Sequence, residues 1–193
     1  MERAATVVRQ TKETNIELTL GLDGGEVVVD TGVGFFDHML TALAVHGGFG
    51  LQLKAEGDWN VDCHHTVEDT GIVLGRAFKQ ALGDRSGIVR YGHAMIPMDE
   101  ALGFCAVDVS GRPYLVFDAA FPQERVGDFD TCMTEEFFRA VSVSSGITLH
   151  LKAEGRNTHH MIEALYKAFA RALRDAAALD PRVKGVPSTK GVL

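Results

Sequence analysis

Apolar positions along the chain change period several times. Residues 4–11 and 15–22 alternate, the second as Ile16, Leu18, Leu20 and Leu22, and predict two strands joined by a short turn. LDGGE reads as a turn, and EVVVD, 26–30, as a third strand. GVGFFDHMLTALAVHGG then takes helical spacing, with Phe36, Leu40 and Leu43 on one face and glycines closing it. FGLQLKAEG alternates again. From His64 a long helical pattern runs through Val67, Ile72, Leu74 and Phe78 to Leu82, where GDRSG breaks it.

The same order then recurs. HAMIPMDE and ALGFCAVDV are strand-like, SGRP is a turn and YLVFDA a strand. FPQERVGDFDT, 121–131, reads as a longer loop, EEFFRAVSV as a helix, ITLHLKAEG as a strand, and His159 to Ala177 as the closing helix. LKAEG occurs at 53–57 and again at 151–155, each time as the strand end that leads into a long helix. Two copies, each about half the chain, make an internal duplication rather than a solenoid. A mixed sheet with both helices on one face is the economical way to bury each copy, so the class is α+β. Residues 1–88 form the first half-repeat and 89–180 the second. The tail, 181–193, carries prolines and glycines and reads as extended: either disordered or an arm that completes a site.

The duplication carries chemistry with it. DCHHTVED, 62–69, returns as NTHHMIEA, 157–164. On a helix, His64 and Glu68 stand one turn apart on one face, as do His159 and Glu163, while His65 and His160 project about 100° around the axis. Imidazoles and carboxylates suit borderline divalent ions. A single HHxxE is weak evidence, but two copies at equivalent positions point to metal, and each helix start can serve two ions. Zinc proteases place the glutamate between the histidines, which this spacing excludes. His38 is either a ligand oriented by Asp37 or a helix-surface histidine, and Glu136 falls where a partner of His38 would stand in the second half.

Composition narrows the class. Of 193 residues 46% are hydrophobic, enough for a real core, and the net charge is -7. With no Lys/Arg run, nucleic-acid and anionic-membrane partners are excluded, but a few arginines can still bind a small anion. The opening residues lack a signal or transit pattern and no run is long enough to span a membrane. Cys63, Cys105 and Cys132 match no disulfide or zinc-ribbon spacing and fit a reducing cytoplasm; Cys63 reads as a small residue packed at a helix entrance. His46, His93 and His150 have no counterparts and read as structural. Arg90 and Arg112 offer guanidinium for phosphate, and Ser188, Thr189 and Lys190 group three donors in the tail. Glu13 and Glu100 are related by the duplication, and either is a general base if it faces the metals.

GFFDHML, DCHHTVEDTG, PMDEAL, SGRPYLVF, NTHHMIEALYKAFARAL and PSTKGV, in this order over nearly the whole chain, resemble the imidazoleglycerol-phosphate dehydratases of histidine biosynthesis. The resemblance implies two fused ribosomal-protein-S5-domain-2-like halves, each a four-stranded mixed sheet with two helices. It implies two manganese ions per active site and a homo-oligomer of twenty-four subunits built from trimers. By that likeness the ligands are His38, His64, His65, Glu68, His159, His160 and Glu163, with Glu136 as the eighth. Some members carry histidine where this chain has Glu136. Arg90, Arg112, Ser188 and Lys190 match the phosphate-binding positions, and Glu13 a substrate-contacting acid or base. The implied chemistry is metal acidification of the substrate imidazole, whose imidazolate expels the neighbouring hydroxyl as water while Glu13 takes the proton from the adjacent carbon. A dinuclear metallohydrolase acting on a small phosphorylated substrate would use the same ligands.

Overall fold

The computed structural model describes residues 3–193, so the first two positions of the first half-repeat lie outside it. The first half runs β1 (Ala4–Gln10), β2 (Thr14–Gly21), β3 (Val27–Asp30), α1 (Gly34–Gly47), β4 (Gly50–Gly57) and α2 (His64–Leu82). The second runs β5 (Tyr91–Met98), β6 (Ala101–Asp108), β7 (Tyr114–Asp118), β8 (Arg125–Val126), β9 (Phe129–Asp130), α3 (Met133–Ser145), β10 (Thr148–Glu154) and α4 (Thr158–Ala177). One sheet has the order β1-β2-β4-β3 and the other β5-β6-β10-β7. In each, only the last pair is parallel, β3 with β4 and β7 with β10. A parallel pair needs a crossover, and α1 and α3 supply it. The α+β class and the duplicated halves stand as the alternation predicted.

One expectation is corrected. Residues 121–131 are not all loop, because β8 and β9 pair as a small hairpin in which Val126 faces Phe129. Gly127, at φ 59°, takes the left-handed conformation its two-residue turn requires. Two-residue strands are too short to show an alternation.

Alternation places the inner faces. Ile16, Leu18 and Leu20 are buried while Asn15, Glu17 and Thr19 between them point outward or partly outward. The four helices stand between the two sheets. Each packs on the sheet of its own half and on a helix of the other half, α2 with α3 and α1 with α4. Gly71 and Gly75 bring α2 close to α3: a Cβ on Gly71 would stand 2.8 Å from the Phe137 carbonyl oxygen, and one on Gly75 2.8 Å from that of Val141. Aromatic rings seal the joint, with Phe36 of α1 edge-on to Phe137 of α3 at 5.4 Å and Phe137 stacked on Tyr166 of α4 at 5.2 Å. Both halves therefore contribute to one continuous core. This cross-packing brings the start of each HH-bearing helix beside a helix of the other half.

Candidate metal centre and anion recess

Both histidine pairs ride on a helix N-terminus. The Asp62 carboxylate accepts the His64 backbone N–H at 2.7 Å, and Asn157 caps α4 by accepting from the His159 and His160 N–H groups at 3.0 and 3.4 Å. Held there, the first histidine and the glutamate meet as the spacing predicts. His64 Nε2 lies 3.4 Å from Glu68, and His159 Nε2 3.2 Å from Glu163.

His38, from α1, brings Nε2 to 3.4 Å from the same Glu163 oxygen. One ligand atom from each of His38, His159 and Glu163 fits within 4.8 Å, a donor set suited to a borderline divalent cation. His38 is thereby placed beside His159 and Glu163, but its expected orienting partner is corrected. Asp37 accepts instead from the Thr31 backbone N–H at 2.8 Å and hydroxyl at 2.6 Å, tying α1 to the end of β3. The cluster crosses the duplication, with α1 of the first half meeting α4 of the second. In the pseudo-equivalent arrangement Glu136 of α3 shares a recess with His64 of α2. Arg139 reaches Glu135 and, at 3.6 Å, Glu136.

The two clusters differ in charge. Glu163 is buried, and Lys167 reaches its other oxygen at 2.6 Å. Burial raises the Glu163 carboxyl, but the hydrogen bond and charge of Lys167 outweigh it and leave the group below its usual range. The equivalent pair around Glu68 is more exposed and has no such cation in contact among the described residues.

His65 and His160 point elsewhere. His65 Nδ1 meets the Asp58 carboxylate at 3.0 Å and its Nε2 faces Glu13 at 3.9 Å. His160 Nδ1 meets Glu100 at 2.8 Å and its Nε2 faces Asp99 at 3.8 Å. The hydrogen bonds to these carboxylates raise both histidines above their ordinary value. Glu100 is pulled down to about 2, first by His160 and then by the backbone N–H groups of Arg156 and Asn157. Asp58, Asp99 and Lys167 are additions that the sequence reading missed. Lys167 alone left a signal, one helical turn beyond Glu163.

The predicted anion group also assembles. Arg90, Arg112, Ser188, Thr189 and Lys190 line one recess, with Tyr91, Pro187 and Val192. Asp108 holds Arg90 through two hydrogen bonds of 2.8 and 3.2 Å, and Arg90 in turn donates to the Pro187 carbonyl at 2.9 Å. These contacts lay the tail against the second half, while Arg112 and Lys190 keep exposed cationic ends.

A family profile described as imidazoleglycerol-phosphate dehydratase matches residues 31–173. An imidazoleglycerol-phosphate dehydratase of Symbiobacterium thermophilum is 63% identical over 100% of this chain and 93% of its own length. One of Acetivibrio thermocellus is 58% identical over the full length of both. Among solved structures, the Staphylococcus aureus enzyme superposes with a TM-score of 0.84 at 43% identity, covering 92% of this chain and 99% of its own. The Pyrococcus furiosus enzyme gives 0.84 at 36% identity over 97% of this chain and 100% of its own. The chain belongs to the imidazoleglycerol-phosphate dehydratase family of hydro-lyases.

Proposed function

We propose that this chain dehydrates imidazoleglycerol phosphate to imidazole-acetol phosphate in histidine biosynthesis, with two manganese ions in each active site. The observation that carries the metal reading is the convergence of His38, His159 and Glu163. His64, Glu68 and Glu136 form the candidate counterpart, and His65 and His160 offer one Nε2 each to complete the two sites. When bound, the ions supply Lewis acidity that lowers the pKa of a coordinated imidazole N–H.

The chain's own groups do the rest. Arg112, Ser188, Thr189 and Lys190, with Arg90 holding the arm, bind the phosphate and fix the substrate's distal end. Glu13 stands at the β1–β2 turn beside His65, exposed to an incoming substrate, and takes the proton from the carbon next to the departing hydroxyl. That C–H and the neighbouring C–O bond break, water leaves, and the enol relaxes to the ketone. Glu68 and Glu163 keep the clusters negative enough to hold divalent cations.

The assembly is homo-oligomeric, with twenty-four subunits built from trimers. Single-chain geometry supports a partner requirement, because His65 and His160 do not join the His38 cluster within one chain. The outward face of the second sheet also exposes Tyr91, Met95, Leu102, Tyr114 and Val116, a larger apolar patch than the first sheet presents. We place the enzyme in the cytoplasm; its three cysteines are free, and no helix among the described residues is long and apolar enough to cross a membrane.

Purified protein loaded with manganese and given imidazoleglycerol phosphate should yield a ketone and no free phosphate. Released phosphate would favour a metallohydrolase, and no product would refute the assignment. Glu13→Gln with unchanged metal content should lose most of kcat; near-normal kcat would remove Glu13 as the base.

A further inference from the structure

We propose that Glu100 and Asp58 are positioning residues that fix the tautomers of His160 and His65 from non-equivalent places in the duplicated fold. The inference rests on the metal reading above.

Each carboxylate meets Nδ1 of its histidine, Glu100 Oε2 at 2.8 Å from His160 and the two Asp58 oxygens at 3.1 and 3.0 Å from His65. A carboxylate can only accept, so Nδ1 must carry the hydrogen. The lone pair is then on Nε2, the nitrogen that points away from the partner and is free to ligate. A second partner that sets tautomer and ring angle in this way is a general need of metal-binding histidines.

The sheet registers give the equivalence of the two halves. Leu53 pairs with Leu18 in the first sheet and Leu151 with Cys105 in the second. Counting from those pairs, Glu13 corresponds to Glu100 and Asp58 to Arg156. If the duplication were exact, the orienting carboxylate would sit in the same place twice. A guanidinium at 156 cannot accept from His160. The backbone turns instead, so that the N–H groups of Arg156 and Asn157 donate to Glu100 Oε1 at 3.0 and 2.7 Å and leave Oε2 for the ring. In the first half Asp58 does this work, and Glu13 reaches only His65 Nε2, at 3.9 Å, among the described residues. The two halves thus divide the work of one repeated pair of positions between them. Glu100 is committed to orienting a ligand, and Glu13 is left free for proton transfer.

Glu100→Gln separates orientation from folding. The amide oxygen can still accept from Arg156 and Asn157, so α4 keeps its entry. The amide nitrogen then faces Nδ1 and donates to it, which moves the ring hydrogen to Nε2 and blocks ligation. The same argument applies to Asp58→Asn. Mn2+ binding to the full assembly, followed by competition with a chelator and by the Mn2+ spin-resonance signal, should show two sites per protomer in the wild type. Each variant should weaken one of the two by roughly 10–100-fold, with an unchanged thermal midpoint in chelator at a pH high enough that both histidines are neutral. Glu13→Gln should leave both affinities unaltered. Placing a carboxylate at the Asp58-equivalent position, as Arg156→Asp in the Glu100→Gln background, should recover most of the lost affinity, a rescue that a purely structural role of Glu100 would not give. Wild-type protein that binds no Mn2+ would defeat the metal reading itself. Wild-type protein that binds it while Glu100→Gln and Asp58→Asn bind equally well, or a double variant no better than Glu100→Gln, would overturn this inference alone.

Discussion

Asp69 offers a test of how the site is anchored. It is buried on α2 next to Glu68 and ties the helix to the first sheet, accepting the Thr14 hydroxyl at 2.6 Å and facing the Arg9 guanidinium at 2.8 Å. Asp69→Ala deletes both. A hydrogen bond to a charged group is worth about 1.5–3 kcal/mol, and Thr14 is buried, so its hydroxyl cannot turn to water. Losing one partner of a buried ion pair costs about 3–5 kcal/mol, but Arg9 keeps 27% of its side chain exposed, which reduces that part to about 1 kcal/mol. Together they give a loss of about 3 kcal/mol, or about 6–12 °C in thermal midpoint for a domain of this size. Asp69→Asn keeps an acceptor for Thr14 and should lose about half as much. Thermal unfolding in chelator measures both, and a double-mutant cycle with Thr14→Val isolates the hydrogen bond. Thr14 follows Glu13, so turnover at full metal loading should also fall, by roughly tenfold or more for a displaced catalytic group. An Asp69→Ala midpoint within about 1 °C of wild type, or a coupling to Thr14 near zero, would refute this account of the anchor.

Three further predictions follow from the packing and the charges. Gly75→Val puts side-chain atoms where even a Cβ would stand 2.8 Å from Val141 O and Ser144 Cβ, so urea unfolding should show a loss of about 1–3 kcal/mol. Arg112→Ala or Lys190→Ala should raise KM by roughly 10–100-fold with kcat little changed, the loss of one charge-assisted phosphate contact, and a fall in kcat alone would argue against that role. The raised His65 and His160 values predict opposite pH trends with and without metal. In chelator, the ion pairs with Asp58 and Glu100 stabilise fully below about pH 6.5 and fade as pH rises through the raised values. With Mn2+ the ligating nitrogens must be unprotonated, so the stabilisation grows over the same range. Thermal midpoints with and without metal that move in parallel between pH 6 and 8 would refute the histidine assignment.

Much of this molecule is local and therefore readable along the chain. Alternation at Ile16, Leu18 and Leu20 gives the inner face of a strand directly, because side chains leave a strand with a period of two. The meeting of His64 with Glu68 and of His159 with Glu163 needs nothing beyond one turn of helix. The repeat of LKAEG and of the histidine pairs announces the duplication by itself. Other features depend on distances between segments far apart in sequence, and there the tertiary structure decided. His38 joins Glu163 rather than Glu68 because α1 packs on α4, across the halves. Asp37 looked like its partner only because it is adjacent; on a helix neighbouring side chains diverge, and Asp37 turns back to Thr31. The proposed division of labour between Glu13 and Glu100 is equally non-local. It depends on a carboxylate at Asp58 and a guanidinium at Arg156, each of which acquires meaning only when the strand end that carries it is laid beside a helix start.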